Sequence, residues 1–459
     1  MIEKMKTKKQ LNKEVVLSEA TDGINKVRLI GSARAEEEEE EECPWEEIDA
    51  YSGRFVVAGY RYNGVGSEDN YHPWLAYSID GGKTWTPSNT TSNENQAHGI
   101  LCALTYGGGR FVVAGNRYDE SVGEDNFHPW IAYSTDGGKT WTPSDTTMDA
   151  DQPHGYLYAL AYGGGRFVVA GYRQESDPYH PWLAYSTDGG ETWTPSDTTL
   201  NEEQAHGQLY ALAYGGGRFV VAGYRYGSSG GTIDDYHPWL AYSTDGGVTW
   251  TPSETTADED QTHGQLCALA YGGGRFVVAG YSFGTGSVDE YYHPWLAYST
   301  DGGVTWTPSE TTADEGQAHG ELCALTYGGG RFVVAGYRLQ RSGNTNNNNH
   351  PWLAYSTDGG VTWTRSETTL NEEQAHGQLY ALAYGGGRFV VAGYNFGTDD
   401  YHPWIAYSTD GGKTWTPSDT TADEDQTHGR LGALTYAPDS YCWKFGTENE
   451  ETEEEAEEA

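Results

Sequence analysis

Fourteen histidines fall into two settings that recur down the chain. Seven stand before Pro-Trp (His72, His128, His180, His237, His293, His350 and His402) and seven before Gly (His98, His154, His206, His263, His319, His376 and His428). Neutral imidazole is a common metal ligand, and carboxylates such as Glu94, Glu203 and Glu373 stand nearby in sequence, so a ring of metal sites is the first chemistry to weigh. The spacing argues against it. The two histidines of a unit, as in His72 and His98, stand a whole hairpin apart, and no short ligand pair such as His-x-x-x-His occurs. The expected role is a backbone hydrogen bond at a strand entrance, with no metal and no cofactor.

Arg61, Arg117, Arg173, Arg225 and Arg338 share another recurring position, filled by Ser282 and Asn395 in two units. A guanidinium fork suits capture of a carboxylate. Aspartates and glutamates are abundant beside these arginines, so local ion pairing is the plainer expectation. A third position holds Asp80, Asp136, Asp188, Asp245, Asp301, Asp358 and Asp410, each in the frame Ser-x-Asp-x-Gly-x-Thr-Trp. Seven equivalent aspartates cannot all belong to one active site, so they are expected to be structural, and no catalytic residue is assigned.

The elements that place these residues follow from the same repetition. GRFVVAG recurs with its arginine at Arg54, Arg110, Arg166, Arg218, Arg275, Arg331 and Arg388, at spacings of 56, 56, 52, 57, 56 and 57. A period of this size marks a solenoid, a propeller or an array. Within a unit, LYALAY alternates between faces and FVVAG is β-branched and aromatic, so both read as strands around a GGG turn. WLAYS and KTWT bracket a second turn, TDGG, and the following proline ends the ladder. The glycine run lacks the Lys and Ser/Thr of a phosphate loop. Four short antiparallel strands cannot bury both faces alone, so neighbouring sheets must stack around an axis.

The predicted fold is therefore an all-β propeller of four-stranded antiparallel blades, a single domain over residues 13–445. Seven units run from about Glu46 to Thr427, and Leu431 to Phe445 matches the first hairpin of an eighth. Glu14 to Leu29 reads as strand, Asp-Gly turn, strand, and could supply its missing half. Eight blades are favoured, the last a composite of both termini, with seven as the alternative. A lysine-rich tail (1–12), an acidic linker (35–44) and a Glu-rich, disordered tail (446–459) complete the expected organisation.

The Ser-x-Asp-x-Gly-x-Thr-Trp turn resembles the Asp-box, or bacterial neuraminidase repeat, found in sialidases, sortilin-type receptors and photosystem II assembly factors. The resemblance implies that each aspartate bonds backbone amides of its turn. It also implies that the tryptophan (Trp85, Trp141, Trp193, Trp250, Trp306, Trp363 and Trp415) packs between sheets. Such turns and the variable loops leave a blade at opposite ends. The histidines and the five arginines fall at the loop end, which is the candidate binding face because variable loops on a rigid scaffold usually carry binding.

The expected function is a non-catalytic scaffold that presents its loop face to a protein or glycan. A sialidase-like glycosidase is one alternative, and an assembly factor resembling the photosystem II propeller is another. A sialidase would need a nucleophilic Tyr with a Glu partner, an acid/base Asp and three arginines; no Arg-Ile-Pro segment occurs, and the units are nearly alike. Net charge is 27 minus 67, or −40, which disfavours nucleic acid and anionic membrane. The odd count of five cysteines does not suggest a disulfide framework, and Cys102, Cys267 and Cys323 share one repeat position with Tyr158, Tyr210, Tyr380 and Gly432, as interchangeable core residues. The first fifteen residues lack the apolar run of a signal peptide, so the default expectation is a cytoplasmic monomer, although relatives of this kind are often extracellular.

Overall fold

The computed structural model describes residues 53–62, 71–90, 99–118, 127–145, 154–174, 179–197, 206–226, 236–254, 264–283, 292–310, 320–339, 349–367, 377–396, 401–419 and 429–438. They form seven antiparallel blades. Blades 2 to 7 begin with the inner strands Gly99–Gly107, His154–Gly163, Gly207–Gly215, Gly264–Gly272, Gly320–Gly328 and Gly377–Gly385. In each, the GRFVVAG strand, the HPW strand and a short outer strand follow in order.

Blade 1 is assembled differently. Its second, third and outer strands are Gly53–Tyr62, Tyr71–Ser78 and Thr86–Pro87, but its inner strand is Gly429–Pro438 from the far end of the chain. Phe55 faces Tyr436 and Val57 faces Leu434, the register that Phe167 and Tyr162, and Val169 and Leu160, adopt inside blade 3.

The expectation of an eighth blade is thus corrected. The segment from Leu431 completes the first blade and does not start a further one. Aligned on the arginine, Glu47 and Asp49 of the first unit stand where Ala159 and Ala161 stand in the third. Those alanines are 6 % exposed, packed between two sheets. Carboxylates there would be desolvated without partners, whereas Leu431, Ala433 and Leu434 meet the pattern of the other inner strands. The expected hairpin at Glu14–Leu29, the tails and the acidic linker lie outside the described residues.

Packing repeats seven times. The FVVA strand is buried on both faces, so Phe55 and Val57 enter the cluster shared with blade 7, while Val56 and Ala58 enter the cluster shared with blade 2. Each of the seven interfaces has one such cluster, with an Asp-box tryptophan at its edge; Trp250 and Trp415 are fully buried. A strand with two apolar faces cannot be satisfied by one sheet, and this drives the stacking. At the rim, Asn89–Thr90 leaves blade 1 to run parallel to Thr140 and Trp141 of blade 2, and isolated parallel bridges such as Asp145 to Thr192 repeat the link.

Candidate binding site

The two ends of the wheel differ chemically. At the turn end, Oδ1 of Asp80 accepts from Ser78 Oγ (2.8 Å), Lys83 N (2.9 Å) and Thr84 N (3.0 Å), and Oδ2 accepts from Thr84 Oγ1 (2.6 Å). Ser78 Oγ in turn accepts from Gly82 N. Asp136, Asp188, Asp245, Asp301, Asp358 and Asp410 repeat the arrangement. Burial alone would raise these carboxyls. The hydrogen bonds from the threonine, the serine and the turn amide outweigh it and hold all seven below the usual aspartate value. In five boxes, as in Trp85 and Trp193, the tryptophan Nε1 donates to its own turn glycine carbonyl.

The arginine of GRFVVAG, so far only a marker of the repeat, is part of the same end. Arg54 Nη1 donates to the carbonyls of Asp136 (3.1 Å) and Gly137 (3.2 Å) in the next blade, and its guanidinium lies 5.6 Å from the Tyr77 ring centroid. Arg110 adds an ion pair to Glu191 at 2.6 Å. Arg388 reaches the carbonyl of Asp80 and so completes the circle. At this end the aspartate side chains hold the turns in shape, and the arginines bind the backbone carbonyls of those turns to hold one blade to the next.

The loop end is built by a bulge. In every inner strand the register slips by one residue opposite the glycine of VVAG, and the extra residues are Cys102, Tyr158, Tyr210, Cys267, Cys323, Tyr380 and Gly432. A bulge re-aims a side chain, and here it turns this position towards the axis, where all seven residues line the central passage. The glycine opposite is required by proximity. A Cβ on Gly59 would lie 2.0 Å from the Arg430 carbonyl oxygen. The cysteine position therefore belongs to a cavity wall, and burial pushes the Cys102 thiol up to about 12.

Towards the loop end the passage widens into a cavity of 540 Å³, walled by residues that include Tyr60, Tyr71, Tyr158, Tyr210, Gln265, Glu321, Tyr380 and Arg430. Two residues before each bulge, the units stop resembling one another: Ile100, Tyr156, Gln208, Gln265, Glu321, Gln378 and Arg430. Sequence reasoning missed this position. The signal was present as the one inner-strand site where near-identical units differ in charge, but the bulge that gives it access to the axis is not readable from a single strand.

Arg430 stands among tyrosines. Its guanidinium donates to Tyr380 Oη and lies 4.6 Å from the Tyr380 ring and 4.9 Å from the Tyr394 ring. Glu321 accepts from Cys267 Sγ at 3.3 Å and from Tyr337 Oη at 3.0 Å, and burial raises its carboxyl above the usual range.

The residues singled out from sequence lie elsewhere. Arg61, Arg117, Arg173, Arg225 and Arg338 pair across the sheet with His72, His128, His180, His237 and His350, while Ser282 and Asn395 face His293 and His402. These pairs sit mid-blade at the loop end, one per blade, and none lines the axial cavity. His180 and His206 approach to 5.3 Å between ring centroids. Among the described residues no group of three or more His, Cys, Asp or Glu is placed to hold a metal ion. His98, His263, His319, His376 and His428 lie outside the described residues, as do Glu94, Glu203 and Glu373.

Two family models match the repeats. The BNR repeat-like domain matches residues 130–282 and 275–437, and the BNR/Asp-box repeat matches 76–87. No curated protein matches. Among solved structures, a Trypanosoma rangeli sialidase in complex with sialic acid is 12 % identical with a TM-score of 0.42, over 72 % of this chain. The chain spans only 56 % of that sialidase. A polysaccharide lyase, a PL25 ulvan lyase, is 12 % identical with a TM-score of 0.46, covering 69 % of this chain and 81 % of its own. A Hadza microbial sialidase is 13 % identical with a TM-score of 0.42, covering 81 % and 91 %.

Proposed function

The chain belongs to the BNR repeat-like family, and from that premise we propose that it is a non-catalytic β-propeller that binds a protein or glycan through its loop face. The observation that carries this reading is the division of labour between the two ends. At the turn end the repeated aspartates are engaged in bonds within their own turns and the arginines in blade-to-blade bonds, whereas the loop end combines variable loops with an axial cavity walled by tyrosines, the Gln265 amide and the charged side chains of Glu321 and Arg430. Aromatic rings beside hydrogen-bonding groups suit both sugar faces and peptide side chains. The near-identity of the units adds a second support, because one weak contact offered many times gains avidity of roughly 10² or more.

A sialidase-type hydrolase is the second reading, and one contact favours it: the tyrosine–carboxylate pair of Tyr337 and Glu321, with Arg430 in the same cavity wall as Glu321. Three features weigh the other way. Tyr337 is 9 % exposed and stands behind the cavity wall; burial raises its hydroxyl far above the usual value; and among the described residues neither an aspartate nor a second arginine lines the cavity. Glycan-array binding by the full chain, run beside hydrolysis of a fluorogenic sialoside, separates the two. Retention of glycans or glycoproteins without turnover is the expected result, and measurable hydrolysis lost in Tyr337→Phe would replace the proposal with the second reading.

A further inference from the structure

Two opposite charges line the axial cavity, and among the described residues neither has an ion-pair partner within the chain. Arg430, on the inner strand of blade 1, is held by tyrosine hydroxyls and ring faces. Glu321, on the inner strand of blade 6, is held by a thiol and a phenol. Blade 7 lies between them and contributes Tyr380 to the wall. Carrying a charge into a desolvated site is costly unless an opposite charge meets it. A simple anion would answer Arg430 but face Glu321 and a chain of net charge −40. A simple cation would answer Glu321 and meet Arg430.

We propose that the axial cavity binds a small zwitterion, a molecule with both a carboxylate and an ammonium group such as an amino acid, with Arg430 holding the carboxylate and Glu321 the ammonium. The remaining wall fits this ligand. Tyr158 and Tyr210 line the cavity with aromatic rings, a type of surface that attracts an ammonium, and the Gln265 amide offers a donor and an acceptor. The 540 Å³ volume leaves room for a molecule of amino-acid size rather than a folded chain. The equivalent positions identify the pair as a departure from the repeat. Blades 4, 5 and 7 carry Gln208, Gln265 and Gln378 there, so the ring accommodates a neutral amide at this site and carries charge in two blades only. This inference goes beyond the loop-face reading and is tested apart from it.

The test is a molecular ruler. The full chain is titrated by calorimetry with ω-amino carboxylates from glycine to 6-aminohexanoate, beside n-alkylamines and n-alkylcarboxylates of matching length. One length is expected to bind at least about tenfold more tightly than both of its one-charge counterparts. Arg430→Gln is expected to reduce that length to the affinity of the amine, and Glu321→Gln to that of the carboxylate. Both variants install the residue that three other blades already hold at this position, so folding is expected to survive and is checked by thermal melting. Absence of any such excess in the wild-type chain overturns the proposal, whatever the variants do. An excess that persists in both variants overturns the assignment of the two residues. Failure of this titration leaves the glycan-array result untouched, and the reverse also holds.

Discussion

Ser418 Oγ donates to the carbonyl of Gly82 at 2.6 Å, joining positions 336 residues apart. The same bond links Ser88 to Gly138, Ser144 to Gly190, and so on through the wheel, always from the end of one outer strand to the Asp-box turn of the next blade. The contact from Ser418 is the one that returns to the start. The blades therefore form a closed circle in which the last interface is made of the same contacts as the first six.

Closure predicts equality among blades. Leu431 is fully buried, as is Leu209 at the matching position in blade 4. Leu431→Ala and Leu209→Ala should each cost roughly 2–5 kcal/mol, with similar urea midpoints. A Leu431→Ala variant indistinguishable from wild type would show that Gly429–Pro438 is not the inner strand of blade 1.

Asp-box carboxylates should confer stability that acid removes. Asp245→Asn at neutral pH should cost roughly 1–3 kcal/mol, because turn amides lose an ionised acceptor. The folded carboxyl titrates below its ordinary value of 3.8, so the unfolded chain takes up the proton first as the pH drops. The stabilisation is therefore complete above about pH 5 and is lost as pH falls through the folded value. Urea midpoints of wild type and Asp245→Asn should draw together as the pH falls from about 5 through the lowered folded value; a gap that widens in acid contradicts the assignment.

Two glycines with similar backbone angles separate strain from collision. Gly138 has φ +84°, and a Cβ there would lie 2.9 Å from Val56 Cγ2 in the preceding blade. Gly165 has φ +80° with nothing within 4 Å of its Cβ. Gly165→Ala should cost roughly 1 kcal/mol from the left-handed conformation alone, and Gly138→Ala measurably more. Equal melting temperatures for the two variants would mean that Gly138 does not set the spacing of blades 1 and 2.

Cavity-wall thiols should be inert. Burial raises Cys102 to about 12 and drives Cys267 and Cys323 upward as well. The thiolate fraction of Cys102 at pH 8 is then about 10³-fold below that of a free cysteine. Peptide mapping after brief iodoacetamide treatment should find Cys102 unmodified in the native chain and modified after denaturation. Rapid native labelling would mean that the Cys102 thiol is not desolvated in the cavity wall.

Much of this was legible from the repeat. Period, strand order, the Asp-box frame and the separation of turns from variable loops all follow from local patterning, since each is decided within one unit. Blade number was not, because Leu431–Tyr436 looks like the beginning of a unit when read forward. Only the competition between this segment and the carboxylates at Glu47 and Asp49 shows that it closes the first blade. Arg430 and Glu321 escaped notice for a related reason: a one-residue slip in strand pairing decides what faces the axis, and pairing is a property of two strands. The histidines and the mid-blade arginines attracted attention by recurring, and they face each other across the strands at the loop end, whereas the axial cavity differs from blade to blade.

Because Gly53 and Pro438 stand opposite each other in one sheet, the first and last described strands of the wheel meet at a seam paired like any other inner hairpin. A circularly permuted gene that joins Pro438 to Gly53 by a short linker and is opened instead at the turn of another inner hairpin, such as that of Gly164 and Gly165, should encode the same wheel. It would be held shut by whichever blade now borrows its innermost strand.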